Sequence, residues 1–535
     1  MSRRDAWLGL DDASTPERVL FAATAVFAVA LSVAGIRYPD AVGRTLAATF
    51  SFVLERFGWW FILLSFVLSV GVTAFCLSRH GHRRIGGPDA DLEFGLAGWL
   101  AMVFTVGYSI SVLFWGVAEP VLVASNPPSP SPVAGVPTES LALAFMFLHD
   151  ILPGLVAWYL PFAVAFGLIV RREGSWRVSD VLAPLMDRSR YAAVYWLVDF
   201  VSLLAIVGGL ATSLGFIGRQ LSAIVGVIYG VESRAVTLGL FAVVAVVFVA
   251  DVWVGLRRGI RNAALVAVVA NLLLTVALLI VGPTLFIIEL GLDAMGVWLG
   301  NLPRLMLYTD PVSAGNFPQQ WTSFWWAWWA AWGVFVGSFV ARVSRGRTVR
   351  EVFVGLCVAP VSVLLFQHSV LGGLALAPGH RGAIEAALES GGNAAALAAA
   401  IETVPYTDAI AALAAVALVG YIVTSLDSAV YMLSAINLGE REPNARNRAA
   451  WGLLMVGVGV MTTFVGGGTR VLESFSTTFA LPFTFLYLVA LGALFVHVRG
   501  SDGAVARERS PAPEPDSDPN PDSDPDSGPT AAPDD

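Results

Sequence analysis

The chain has 535 residues, of which 56% are hydrophobic and 13% charged, with a net charge of −8 and a mean hydropathy of +0.71. A soluble domain carries about a quarter of its residues charged, so this composition excludes a water-soluble globular protein and leaves an integral membrane one. No nucleotide-binding motif or cluster of metal ligands stands out, so neither an enzyme nor a nucleic-acid partner is expected.

Apolar runs long enough to cross about 30 Å of hydrocarbon recur along nearly the whole chain. They lack the alternation of barrel strands, so the fold class expected is an all-α integral membrane protein. Twelve transmembrane helices are predicted, over 17–36, 58–77, 92–124, 140–170, 192–229, 235–255, 261–290, 321–344, 350–378, 406–438, 446–466 and 475–498. The first 20 residues place acidic side chains before the first apolar run and show no small-residue cleavage site after it, so that run is expected to stay as a span. Cys76 and Cys357 both fall inside spans, far apart in sequence, and imply neither a disulfide framework nor a metal site.

All 32 basic residues are arginine. With loops assigned alternately from an inside N-terminus, 24 fall on one side and seven on the other, with Arg219 inside a span. By the positive-inside rule both termini are expected in the cytoplasm.

Two spans are interrupted by small residues. The third, FTVGYSISVLFWG (104–116), has Gly107, Ser109 and Ser111 near its middle; in the eighth, Gly333, Gly337 and Ser338 follow a run of tryptophans. Broken helices at corresponding places in two halves point to inverted repeats around a midplane site. The expected division is 1–91 for an N-terminal segment with spans 1 and 2, 92–290 for a first five-helix repeat, 291–320 for an extracellular interfacial helix and loop, 321–498 for a second repeat, and 499–535 for an acidic cytoplasmic tail. The Pro-, Asp- and Ser-rich composition of that tail predicts disorder.

The eighth span begins WTSFWWAWWAAW (321–332), with six tryptophans in twelve residues. Trp325, Trp328, Trp329 and Trp332 are spaced i, i+3, i+4, i+7 and share one helical face. Indole faces attract cations that cannot donate hydrogen bonds, at about 0.5–2 kcal/mol per ring. An interfacial aromatic belt accounts for Trp321 and Trp325, whereas Trp329 and Trp332 sit deeper and are expected to face a ligand. In the fourth span Asp150 lies about ten residues, hence about 15 Å, from the outer end. A carboxylate at that depth is costly unless paired, so it is expected to hold a substrate cation, carry a proton, or hydrogen-bond His149 or backbone freed by Pro153 and Gly154.

The tryptophan helix running into ARVSRGRTVRE (341–351) resembles the signature of the betaine/carnitine/choline transporter family. Further matches are FWGVAEP (114–120), GLATSLGF (209–216), GLRRGI (255–260), VGPTLF (281–286), SVLGGLAL (369–376) and VTSLDSAVYML (423–433). The resemblance implies a LeuT-like core of two inverted five-helix repeats, often assembled as a homotrimer. It implies alternating access in the plasma membrane, with spans 3, 4, 8 and 9 rocking as a bundle. It also implies that the arginines after the eighth span are topological anchors or ion-pair gates with acidic residues such as Glu351.

In the family the substrate ammonium sits between aromatic rings of the fourth and eighth spans. The eighth-span ring falls on Trp329, with Phe324, Trp328 and Trp332 nearby. The fourth span departs from the pattern: HDILPGLVAW (149–158) has Asp150, Leu155 and Trp158 where two tryptophans and a tyrosine are usual, and GYSIS (107–111) brings Tyr108 in place of a glycine-rich run. The family's sodium site falls on the hydroxyls of Thr424 and Ser425 and the carbonyls of Tyr421, Thr105 and Tyr108. The resemblance thus implies a sodium-coupled importer of glycine betaine or a related quaternary ammonium compatible solute, with lipid and further copies of the chain as its other partners. The alternatives are a proton-coupled or exchange carrier of another amine or amino acid using Asp150, and a nontransporting sensor.

Overall fold

The computed structural model describes residues 7–107, 111–170, 175–231, 233–254, 259–313, 315–462, 464 and 468–509. Among them the only strand-like feature is an isolated bridge between Arg84 and Thr348. The helices are α1 (Thr15–Arg37), α2 (Pro39–Leu77), α3 (Leu96–Gly107), α4 (Ser111–Ser125), α5 (Thr138–Asp150), α6 (Leu160–Ala165), α7 (Ala192–Tyr229), α8 (Arg234–Val254), α9 (Gly259–Val281) and α10 (Thr284–Gly300). After them come α11 (Phe324–Val343), α12 (Val349–Leu376), α13 (Arg381–Gly391), α14 (Ala396–Glu402), α15 (Thr407–Leu438), α16 (Ala445–Thr462) and α17 (Gly468–Arg509).

Nine helices among the described residues are long and apolar enough to cross a membrane, and a bent pair, α3 with α4, brings the number to ten. Among the described residues only Arg234–Phe248 of α8 counts as an apolar helix, and α16 opens with Arg446 and Arg448, so neither is among the ten. The outer helices turn large apolar side chains outward, such as Val29 and Val33 on α1, Phe52 and Val70 on α2 and Val266 and Ile280 on α9. In water such a surface would be strongly unfavourable; in hydrocarbon it costs nothing.

Two segments are buried from end to end and form the centre. All 20 residues of α11 are buried, and 94% of the apolar window of 138–170 is enclosed. Spans 3, 4, 8 and 9 pack on one another as α3/α4, α5/α6, α11 and α12, while α7, α9, α15 and α17 surround them.

The third span is broken where its small residues predict: α3 and α4 meet at 51°. The eighth is not. Helix α11 runs unbroken through Gly333 and Gly337, and those glycines serve close packing. A Cβ on Gly333 would lie 2.3 Å from the Trp158 carbonyl oxygen, and one on Gly337 2.6 Å from that of Tyr159. The irregularity lies about three turns earlier, in a π turn at Gln319–Ser323 just before α11. Two more π turns, Leu155–Tyr159 and Phe166–Val170, flank α6 in the fourth span.

Two of the boundaries also differ. The seventh span ends at Val281 because Gly282 and Pro283 stop it, and the following apolar stretch forms the separate α10, packed on α5 and α12. Residues 499–509, expected to be disordered, continue α17 to Arg509; the rest of the acidic tail lies outside the described residues. Glu351, beside arginines expected to anchor or to pair with it, accepts the Thr348 amide at 2.6 Å and caps its own helix.

Candidate functional site

The site lies where α11 crosses the fourth span beside the break in the third. Gly107, Val112, Asp150, Tyr159, Trp325, Trp328, Trp329 and Trp332 enclose a cavity of about 30 Å³. That is room for a water-sized group, so side chains must part to admit a larger solute.

The four tryptophans arrive together because the i, i+3, i+4, i+7 spacing places them on one face of a helix with no exposed side. Trp325 and Trp328 are stacked with centroids 5.6 Å apart and planes 24° apart. Trp115 lies 5.6 Å from Trp325, and Phe216 lies 5.9 Å from Trp328, behind the first rings. Trp329 packs 4.8 Å from the Tyr159 ring and donates its indole N–H to the His149 carbonyl at 2.8 Å. Gly154 makes room for it, since a Cβ there would come within 2.7 Å of Trp329 Cε2.

Opposite the rings is a polar wall built from buried pairs. The Asp150 carboxylate lies 2.6 Å from His368 Nε2 on α12, which satisfies the demand that a midplane charge be paired. His149 does not partner Asp150. Its Nδ1 lies 2.6 Å from Glu119 Oε1, and its Nε2 lies 3.0 Å from the Thr322 hydroxyl. Glu119 also accepts the Trp325 indole N–H at 2.8 Å. Glu119 and His149 are fully buried, so the unit orients Trp325 from behind with both carboxylate oxygens occupied. Trp325 is therefore a wall of the site and not part of an interfacial belt.

The structure brings Trp328, Trp329, Trp332 and Asp150 together. Phe324 stands one layer out, 5.5 Å from Trp328 and 5.9 Å from Trp115. Trp158 faces away, edge-on to Tyr487 at 5.1 Å, and its neighbour Tyr159 lines the cavity instead. The cause is the π turn: Pro161 has no N–H for the Ala157 carbonyl, the helix widens to take an extra residue, and Tyr159 comes round where an α-helix would present Trp158. Its hydroxyl donates to the Gly107 carbonyl at 2.8 Å, tying the fourth span to the break in the third. Tyr108 lies outside the described residues.

Across that break the hydroxyl of Ser425 donates to the Thr105 carbonyl at 3.2 Å, and the Thr424 hydroxyl lies 3.0 Å from the Tyr421 carbonyl. Thr105, Tyr421, Thr424 and Ser425 thus converge where α15 meets α3. The donors are uncharged oxygens, the set that suits a hard monovalent cation. His368 and Tyr159 were not singled out from sequence, and His149 was named only as a partner for Asp150; the charge of a His inside an apolar run was the available signal for His368.

A family model described as BCCT, betaine/carnitine/choline family transporter, matches residues 19–502. The chain belongs to this family. Among betaine/carnitine/choline family relatives it is 30% identical to the glycine betaine transporter OpuD of Bacillus subtilis over 476 residues, 86% of this chain and 90% of that one. It is 28% identical to the ectoine/hydroxyectoine transporter of Virgibacillus pantothenticus, covering 90% and 96%, and 29% identical to the betaine/ectoine transporter LcoP of Corynebacterium glutamicum, covering 92% and 79%. As a family member the chain is a multi-pass membrane transporter of the betaine type and not an enzyme.

Proposed function

We propose that the chain is a sodium-coupled importer, in the plasma membrane with both termini cytoplasmic, of small zwitterionic compatible solutes whose cationic nitrogen enters the tryptophan cavity. Glycine betaine is the first candidate. The observation that carries this reading is the cavity itself, four indoles on one side and an ionisable pair on the other. Rings hold a methylated ammonium by cation–π attraction without asking for an N–H donor.

The Asp150 and His368 pair favours a second class of substrate at the same site. A carboxylate in the wall rewards cations that donate hydrogen bonds, as a protonated ring nitrogen of an ectoine-type solute does. Sodium coupling is supported by the oxygen donors of Thr105, Tyr421, Thr424 and Ser425 at the junction of α3 and α15, which would hold the ion and supply its attraction for the broken helix. The Tyr159 hydroxyl ties the cavity wall to the Gly107 carbonyl, two residues from Thr105, so ion and solute would raise each other's affinity by one factor. Transport would proceed by movement of α3/α4, α5/α6, α11 and α12 against the surrounding helices.

Titration of purified protein with glycine betaine and with ectoine, followed by tryptophan fluorescence with and without sodium, tests this. Saturable quenching that strengthens with sodium is the expected result; no saturation with either solute would reject the cavity as their site.

A further inference from the structure

At the arginine-rich end of the molecule two loops are laced together. Ile85 N–H donates to the Arg347 carbonyl, Gly346 N–H to that of Ile85 and Val349 N–H to that of Arg83, each at 2.9 Å. The Arg84 guanidinium adds a 2.7 Å bond to the Gly346 carbonyl. The lacing joins the arginines of 79–84 and 345–350 into one basic collar where α2 ends and α12 begins. Beside it is a groove of about 490 Å³, far larger than the tryptophan cavity, which the transport reading leaves without a role.

The groove is divided in character along its length. Its loop end is lined by His82, Arg347, Thr348 and Arg350; its other end by Leu96, Leu100, Val354 and Val358. Arg347 stacks on Trp99 at 4.0 Å and gives one N–H to the Phe94 carbonyl, which fixes its charge at the rim. Arg350 is held through Nη2 by the carbonyls of Leu77 and Ser78 at 2.8 and 3.0 Å, its Nη1 lies 3.3 Å from His82 Nε2, and its Nε is buried without a hydrogen-bond partner among the described residues. The single acidic residue lining the groove is Glu351, one of whose carboxylate oxygens accepts the Thr348 amide. Leu96, Val354 and Val358 are 62%, 47% and 57% exposed, so the apolar end opens onto the lipid-facing surface.

We infer that this groove binds an anionic phospholipid of the adjoining leaflet, with its phosphate at Arg347 and Arg350 and an acyl chain along Leu96, Leu100, Val354 and Val358. Fixed positive charge at a helix end, continuous with an apolar strip open to the bilayer, matches the two ends of such a lipid and no soluble anion. The charged head supplies selectivity, and the acyl contact supplies residence.

The test is native mass spectrometry of the full-length protein in detergent, titrated with phosphatidylglycerol or phosphatidylcholine, for wild type, Arg350→Gln and Val358→Trp. Melting temperature in phosphatidylcholine micelles reports whether each variant is folded. Wild type is expected to prefer phosphatidylglycerol; loss of one arginine should cut that preference about fivefold, while Val358→Trp should weaken retention of both lipids by obstructing the chain. Equal retention of the two lipids by wild type, or a preference unchanged in folded Arg350→Gln, would overturn the assignment. Displacement of phosphatidylglycerol by millimolar inorganic phosphate would also overturn it, since the groove would then be a free-anion site.

Discussion

At the scale of single residues, Asp150 is given the choice among cations by the proposed function. It contributes a charge to a wall otherwise made of rings, and His368 at 2.6 Å keeps that charge in place. A hydrogen bond to a charged group contributes about 1.5–3 kcal/mol, so Asp150→Asn is predicted to raise the KM for an ectoine-type substrate tenfold or more. Glycine betaine has no N–H to lose, and its KM should move less than about threefold on the same basis. Competition of the two solutes for uptake by the variant measures the ratio. Gly154 makes an independent test of the rings. A Cβ at this position would stand 2.7 Å from Trp329 Cε2, closer than a methyl group tolerates, so Gly154→Ala should displace that indole, disturb its bond to His149 and lower binding of both solutes alike.

At the scale of elements, two departures from regular helix build the site, the break between α3 and α4 and the π turn at Leu155–Tyr159. Because the π turn aims Tyr159 and not Trp158 at the cavity, Tyr159→Phe should weaken binding about fivefold, the loss expected for one hydrogen bond, and Trp158→Phe should leave the KM unchanged. A second prediction concerns the far end of α11. There Arg342, 2% exposed, bonds Glu93 at 2.8 Å, Glu442 at 3.0 Å and Tyr431 at 3.2 Å, while Glu93 also takes Arg441. These bonds join α11 to α15 and the loop before α3 and seal the arginine-rich side. Removing one partner of a buried pair costs about 3–5 kcal/mol, so Arg342→Gln should open that side and raise amide hydrogen exchange in 88–95 and 439–443.

Much of this was legible in the sequence. Apolar runs located most of the helices, with the second beginning earlier, at Pro39, and the seventh ending sooner, at Val281; small residues at 107–111 marked the true break, and the tryptophan spacing gave the shared face. Trp158 came from the family's fourth-span pattern, whereas the structure lines the cavity with its neighbour Tyr159, beside a π turn that composition does not signal. Gly333 and Gly337 were read as a break because a glycine needed for close packing is the same letter as one needed for a kink. The partners of Asp150 and Glu119 come from helices far away in sequence, which no local pattern encodes.

At the scale of the whole molecule, the account makes the junction of α3 and α15 the place where ion and solute meet. Ser425→Ala is predicted to raise the sodium concentration for half-saturation about fivefold, with the betaine KM in subsaturating sodium rising by the matching factor. The most direct test of the central claim is uptake of radiolabelled glycine betaine into proteoliposomes under an inward sodium gradient, an inward proton gradient, or neither. The account predicts concentrative uptake with the sodium gradient alone, abolished by a sodium ionophore. Concentrative uptake driven by protons and indifferent to sodium would contradict it and transfer the coupling role to the Asp150 and His368 pair.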